Sequence, residues 1–165
     1  MARALTPVLV LLLSLLLVAG PAPAQEAGDV LQPCANAGTA EVVTPEGLQT
    51  GIDTPSEPLW GITGNPGTQT QKSFILDLTG NPVADIRATV DVTMTWDIPV
   101  EDYDLDLLDA YGGELAHSEM IQPIDGDSEH VAAVLRHCDR FSAAALNWTA
   151  AGLSELTLDL AASTL

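Results

Sequence analysis

A stretch in the middle of the chain, Ile86–Trp96, alternates apolar and polar residues without a break. Its apolar side chains occupy every second position, and polar or charged side chains occupy the positions between them. Because successive side chains of a β-strand point to opposite faces, this period of two predicts a strand with one buried and one solvated face. The chain must therefore supply a second apolar layer to cover the buried face.

Further strands are predicted on both sides of this stretch. Phe74–Leu78 precedes it, and Tyr103–Leu108 and Leu115–Ser118 follow it, separated from each other by a Gly-Gly turn signal. Glu155–Leu160 alternates again, with its leucines on one side and its polar residues on the other. Together these segments predict an all-β fold, an antiparallel β-sandwich of seven or eight strands.

One segment, residues 129–148, fits two structures. Its apolar residues lie close to the i, i+3, i+4, i+7 spacing of an amphipathic helix, and its run of three alanines favours a helix by propensity. The same residues also divide into two strands, His130–Arg136 and Arg140–Trp148, with a break at Cys138 and Asp139. Periodicity alone leaves both structures open.

The N-terminus carries the three parts of a secretory signal peptide. Arg3 supplies positive charge, Val8–Ala19 is apolar apart from one serine, and Ala22-Pro23-Ala24 is a small-residue cleavage site. The apolar run is shorter than the roughly 20 residues that a membrane-spanning helix needs. We therefore predict a signal peptide over residues 1–24 and a secreted chain without membrane insertion. A retained N-terminal anchor is the alternative.

The remaining residues divide by composition into two parts. Residues 25–71 are rich in Gly, Pro and Thr and contain only short apolar pieces, so we expect an irregular lead-in with one or two edge strands. Residues 72–165 hold the alternating segments and are expected to form the sandwich. Their combined length suits one domain with a core of its own.

The charge of the chain limits its partners. It has 23 acidic residues against five lysines and arginines, which gives a formal net charge of −18. Nucleic acid binding requires a basic surface, so nucleic acid is excluded as a partner, and anionic membranes are disfavoured. Cations and basic proteins remain attractive partners. Dispersed carboxylates also keep an exported protein soluble without any role in binding.

Cys34 and Cys138 are the two cysteines of the chain. In an oxidising compartment they are expected to form one disulfide, which would hold the lead-in against the core. Closing a loop of about 100 residues stabilises a protein by up to about 4.7 kcal/mol in the chain-entropy model. The alternative is a reactive thiol beside His137, which would require a reduced pair.

The segment Asp102–Ser118, called the acidic hairpin from here on, reads DYDLDLLDAYGGELAHS. It resembles the D-x-D-L-x-L-x-D-x-x-G-x-x-x-A-x-S hairpin of bacterial pre-peptidase C-terminal domains. Three further stretches are similar to strands of that family: Thr93–Asp97, Phe141–Trp148 and Leu156–Leu158. Arg140-Phe141 stands where the family has Gly-Tyr before its penultimate strand.

The resemblance implies a jelly-roll-like β-sandwich on an exported protein, and it favours two strands over residues 129–148. Domains of this family are non-catalytic modules, usually appended to proteases or glycosidases. Some of them bind matrix or polysaccharide surfaces, and some carry calcium. We therefore expect a secreted, monomeric, non-catalytic binding module whose partner is a protein or polysaccharide surface.

Four aspartates of the acidic hairpin are the candidate metal ligands: Asp102, Asp104, Asp106 and Asp109. Like charges spaced about 6.6–7 Å apart along one face repel, and carboxylate oxygens suit Ca²⁺. The EF-hand template does not fit, because Leu107 and Gly113 stand where it needs Gly and Glu. A second acidic stretch, Asp125, Asp127 and Glu129, has the same potential. The alternative is a solvated acidic face without an ion.

Catalytic motifs are absent from the sequence. It contains no Gly-x-Ser-x-Gly, no His-Glu-x-x-His and no phosphate-binding loop, so we expect no enzyme activity. A carboxylate-based hydrolase is the remote alternative, because paired carboxylates are brought together in space rather than in sequence. Trp60, Trp96 and Trp148 could form a sugar-stacking platform, but strand alternation assigns Trp96 and Trp148 to the core.

Overall fold

The computed structural model describes residues 30–55, 69–82, 85–99, 101–118, 128–148 and 154–165. These residues form nine strands and no helix, so the all-β prediction is confirmed. The strands are β1 (Glu41–Val43), β2 (Leu48–Ile52), β3 (Gln69–Leu76), β4 (Arg87–Thr95), β5 (Tyr103–Asp109), β6 (Glu114–Ser118), β7 (Ser128–Arg136), β8 (Arg140–Asn147) and β9 (Leu156–Thr164). In the described part of the chain, no helix is long and apolar enough to cross a membrane.

The strands form two sheets that pack as a sandwich. Sheet A has the order β1-β3-β8-β5-β6, and sheet B has the order β2-β9-β4-β7. Most strands that follow one another in sequence lie in different sheets, so the chain crosses repeatedly from one layer to the other. The pairing between β1 and β3 is parallel, and the other pairings between described strands are antiparallel.

The core lies between the two sheets. In β4 every second residue is buried, which confirms the strand expected over Ile86–Trp96. Phe74 of β3 and Phe141 of β8 cover it from sheet A, with their ring centroids 5.4 Å apart. Burying a large apolar side chain stabilises a fold by about 1.5–3 kcal/mol, so this apolar layer is the main stabilising contribution.

Residues 129–148 form two strands, β7 and β8, rather than a helix. Between them Cys138 adopts a left-handed backbone conformation with φ of 65°, which an α-helix does not contain. Ala143, Ala144 and Ala145 lie fully buried in β8, between β3 and β5. Pairing on both sides of β8 therefore outweighs the helical propensity of alanine.

The lead-in contributes to both sheets. β1 extends the edge of sheet A and β2 extends the edge of sheet B, while β3 begins at Gln69. The strand count exceeds the seven or eight that the sequence predicts, because the lead-in supplies β1 and β2 and these pair with strands far along the chain. The signal peptide expected over residues 1–24 lies outside the described residues.

The disulfide predicted between Cys34 and Cys138 is confirmed, with the two Cα atoms 5.4 Å apart. It joins the lead-in to the turn between β7 and β8. The same turn is bonded to the end of β3, since the backbone N–H of Cys138 donates to the Leu76 carbonyl at 2.8 Å. The bridge therefore closes one end of the sandwich.

Polar contacts join the two sheets on both sides of the core. On one side Lys72, the single lysine of the chain, lies 2.7 Å from Glu41 Oε1 and donates to the Gly51 carbonyl at 2.8 Å. The Lys72 ammonium lowers the pKa of Glu41 by hydrogen bonding to its carboxylate. On the other side the hydroxyl of Ser118 in β6 donates to the carboxylate of Glu129 in β7.

Candidate functional site

The four candidate aspartates lie along β5 and at its two ends. Alternate residues of β5 point into the core, and this places Asp104 and Asp106 on the outer face of sheet A. Asp102 immediately precedes the strand, and Asp109 ends it. At about 3.3 Å per residue, Asp102 and Asp109 are separated by roughly 23 Å, so these two side chains cannot bind the same ion.

Asp109 holds the turn of the acidic hairpin. Its Oδ1 accepts hydrogen bonds from the backbone N–H groups of Tyr111 and Gly113, both at 2.8 Å. Gly112 has φ of 82°, a left-handed conformation that favours glycine. A Cβ on Gly113 would lie 2.8 Å from Asp109 Oδ2, so any larger residue there would displace the Asp109 carboxylate. The Asp109 carboxylate is therefore engaged in turn formation.

Asp104 is the most unusual carboxylate of the strand. It is only 5% exposed although it lies on an outer face, because Trp148 covers it and donates its indole N–H to Oδ2. Burial raises the pKa of Asp104 to about 6 against the lowering effect of the Trp148 hydrogen bond. The charges of Asp102 and Glu129 raise this pKa further, and His117 lowers it. A carboxyl that titrates near neutral pH is typical of functional sites, although structural clusters also contain them.

The neighbouring carboxylates Asp106 and Glu129 have partners on other strands. Asp106 faces His117 across the β5–β6 pair and bonds to its Nδ1. Glu129 is fully buried in β7, where it accepts the Ser118 hydroxyl. The sequence had placed Glu129 in a second acidic stretch, and the other two members of that stretch, Asp125 and Asp127, lie outside the described residues.

The described residues contain one group of three potential metal ligands whose ligand atoms all lie within 4.8 Å of one another. That group is Cys34, His137 and Cys138, and both of its sulfurs are in the disulfide. His137 has a structural role, because Nδ1 accepts the Leu78 N–H at 3.0 Å and Nε2 donates to the Gln32 carbonyl at 2.9 Å. Calcium binding by the aspartates stays a prediction.

A third buried carboxylate, Glu101, lies at the end of the sandwich where β5 begins. Its Oε2 accepts the Tyr103 hydroxyl at 2.7 Å and the Ser154 N–H at 2.9 Å. Trp96 donates its indole N–H to the Glu101 carbonyl at 3.0 Å. Burial raises the pKa of Tyr103, and the Glu101 carboxylate adds to the rise. Sequence reasoning missed this network, because no spacing pattern marks it.

The structure tests the predicted positions of two of the three tryptophans. Trp96 is buried in the core as expected, with its ring in edge contact with Tyr103. The assignment of Trp148 to the core is wrong, because Trp148 is only half-buried and bonds to Asp104 on the outer face of sheet A. Trp60 lies outside the described residues. A buried Trp96 cannot stack on a sugar, so it does not belong to a binding platform.

Comparison with protein-family models gives no match for this chain, and comparison with curated proteins gives none either. The resemblance of the acidic hairpin to pre-peptidase C-terminal domains therefore depends on the residues of the hairpin and on the sandwich that carries it.

Proposed function

We propose that this chain is an exported, monomeric, non-catalytic binding module of the pre-peptidase C-terminal type. The observation that carries the proposal is the acidic hairpin, in which five of the motif residues support the local geometry. Leu105 and Leu107 fill the core, Asp109 and Gly112 form the turn, and Ser118 bonds to the facing sheet. These contacts make the motif a structural part of the β-sandwich, the fold that the resemblance implies.

Export is supported by the disulfide and by the signal peptide that the sequence predicts over residues 1–24. A disulfide persists in oxidising compartments and is rare in the cytosol. The test is expression of the full chain in a bacterium, followed by cell fractionation and N-terminal sequencing. The protein is expected outside the cytoplasm with a new N-terminus near Gln25. An uncleaved chain in the cytoplasm would contradict the proposal.

Binding without catalysis is tested by co-sedimentation of the purified protein with cellulose, chitin and an insoluble protein fibre. Retention by at least one of these polymers is expected, with no release of soluble sugar or peptide. Failure to bind any of them would argue against a surface-binding module. Release of soluble products would instead support the carboxylate-based hydrolase, and a single Asp104→Asn change would then be expected to abolish it.

A calcium-dependent module is the second candidate, and the surroundings of Asp104 favour it. Its carboxylate is buried close to the charges of Asp102 and Glu129, and a divalent cation would offset their repulsion. At a concentration 100 times its dissociation constant, Ca²⁺ would stabilise the fold by about 2.7 kcal/mol. Calorimetry and thermal melts with millimolar Ca²⁺ test this, with Asp104→Asn as the variant that loses the effect. Absence of heat and of any melting shift excludes the candidate.

A further inference from the structure

Three large apolar side chains of the described surface line a single groove. Tyr111 is 97% exposed, Val134 is 54% exposed and Leu115 is 39% exposed. The groove has a volume of about 400 Å³ and lies between the turn of the acidic hairpin and the turn that joins β7 to β8. Scattered apolar side chains are ordinary on a protein surface, whereas a group around a concavity is typical of an interaction site.

The first wall of this groove, called the hairpin groove from here on, is held rigid by backbone hydrogen bonds. The Asp109 N–H donates to the Gly113 carbonyl at 2.7 Å, and the Gly112 N–H donates to the Asp109 carbonyl at 3.1 Å. The Asp109 carboxylate also holds the N–H of Tyr111 itself. The backbone that carries the exposed ring is therefore ordered before any partner arrives.

The second wall is fixed by the disulfide corner. Cys138 is bonded to Cys34, and Asp139 Oδ2 accepts the Arg136 N–H at 2.8 Å. Arg140 directs its guanidinium to the Asn36 carbonyl. Both walls are ordered in the free protein, so binding in the groove costs little conformational entropy.

The chemistry of the groove indicates its occupant. Tyr111, Leu115 and Val134 provide apolar area but no hydrogen-bonding groups beyond one phenol, which suits an apolar side chain better than a sugar. Two carboxylates, Asp109 and Asp139, and one guanidinium, Arg140, line the same groove, so its local charge is negative, and the chain as a whole carries a net charge of −18. Two copies of so acidic a chain repel each other, while a basic partner is attracted.

We propose that the hairpin groove docks a basic protein through an apolar anchor side chain flanked by lysines or arginines. The proposal rests on the proposed function, because it names the partner class of the binding module. Tyr111 supplies the main contact, and Val134 and Leu115 complete the apolar surface. Rim carboxylates contribute to the rate of association and to its dependence on salt.

The probe is the synthetic peptide acetyl-Gly-Lys-Lys-Phe-Lys-Lys-Gly-amide, titrated into ¹⁵N-labelled protein and followed by NMR. Amide shifts are expected around Tyr111, Leu115 and Val134. Tyr111→Ala and Val134→Ser are each expected to weaken binding about tenfold. Val42→Ser is the matched control, since Val42 is 43% exposed on β1 and outside the groove, and its binding should equal that of the parent. Thermal melts verify that every variant is folded.

Two companion peptides test the apolar anchor and the basic flanking residues separately. Replacing the phenylalanine by serine should abolish the shifts, and replacing the lysines by glutamates should abolish them as well. Equal binding of the glutamate peptide would refute a basic partner. Absence of shifts with the original peptide, or shifts elsewhere on the protein, would refute the groove as the docking site.

The other occupants give different results. A dimer in sedimentation analysis that Val134→Ser dissociates would assign the groove to a second copy and overturn the proposal. Shifts of the same amides by cellohexaose would assign it to a polysaccharide and overturn it too. If the groove variants bind the polymers as well as the parent protein does, the proposed module function is retained and only the assignment of binding to the groove is refuted. If the parent protein binds neither the peptide nor any of the polymers, both the module function and the groove assignment are refuted.

Discussion

Replacing Asp104 by asparagine tests whether the buried carboxyl on the outer face of sheet A is held there at a cost to stability. The amide keeps an oxygen that accepts the Trp148 N–H and removes the negative charge. It also removes the repulsion by the charges of Asp102 and Glu129. We therefore expect Asp104→Asn to be more stable than the parent at neutral pH.

The magnitude follows from the pKa of Asp104. A folded-state pKa of about 6, compared with 3.8 for an unperturbed aspartate, corresponds to about 3 kcal/mol. Because the folded protein binds this proton more tightly than the unfolded chain does, the contribution of Asp104 to stability is fully present below about pH 4 and is lost as the pH rises through about 6. The gain from the asparagine is less than 3 kcal/mol in practice, since its hydrogen bond to Trp148 lacks the charge.

Urea unfolding of both proteins at pH 4, 5, 6 and 7.5 measures the effect. The difference in free energy of unfolding should be small at pH 4 and grow to between about 1 and 3 kcal/mol in favour of Asp104→Asn at pH 7.5. Asp159→Asn is the control, because it removes one charge from an exposed position of β9. A difference between Asp104→Asn and the parent that is the same at every pH, or a less stable Asp104→Asn at pH 7.5, would refute the reasoning.

Three further predictions concern the contacts that hold the fold. Replacing Cys34 and Cys138 together by alanine should lower the free energy of unfolding by up to about 4.7 kcal/mol, measured in urea, and an unchanged value would mean that the disulfide does not stabilise the fold. Lys72→Met should cost about 1 kcal/mol, and a double-mutant cycle with Glu41→Gln should give a coupling of about 0.5–1 kcal/mol that falls with salt; zero coupling would contradict an ion pair between β1 and β3. Gly113→Ala should cost about 1 kcal/mol in thermal melts because its Cβ meets the Asp109 carboxylate, and the cost should shrink when Asp109→Ala is already present; an equal cost in both backgrounds would assign it to the backbone instead.

The alternating segments were predictable because their pattern is local. Ile86–Trp96 and Glu155–Leu160 show which side chains are buried without reference to any partner strand, and β4 and β9 bury the expected faces. Residues 129–148 were not decidable in the same way, since alanine and the spacing of the larger residues suit both a helix and two strands. β3 and β5 pair with β8 on either side, and this pairing favours two strands over a helix.

The residues of the candidate site were predictable from the sequence, but the burial and the hydrogen-bond partners of each side chain were not. The run of aspartates in the acidic hairpin is visible in the sequence, yet Asp104 and Asp109 differ entirely in what surrounds them. Trp148, which covers Asp104, lies 44 positions further along the chain. Glu101 and its partners gave no signal, because no sequence pattern marks the contacts with Trp96 and Tyr103, and the contact with Ser154 joins residues 53 positions apart.

By itself the sequence determined the two faces of the strands, the turn of the acidic hairpin, the cysteine pair and the acidic character of the chain. Each of these follows from residue type and from spacing over a few neighbours. Only the tertiary structure decided which strands lie side by side, that one aspartate is buried near the charges of two other acidic residues, and that Tyr111 and Val134 border one groove. The reason is that burial and electrostatic environment depend on groups distant in the chain, whose distances only the packing of the two sheets determines.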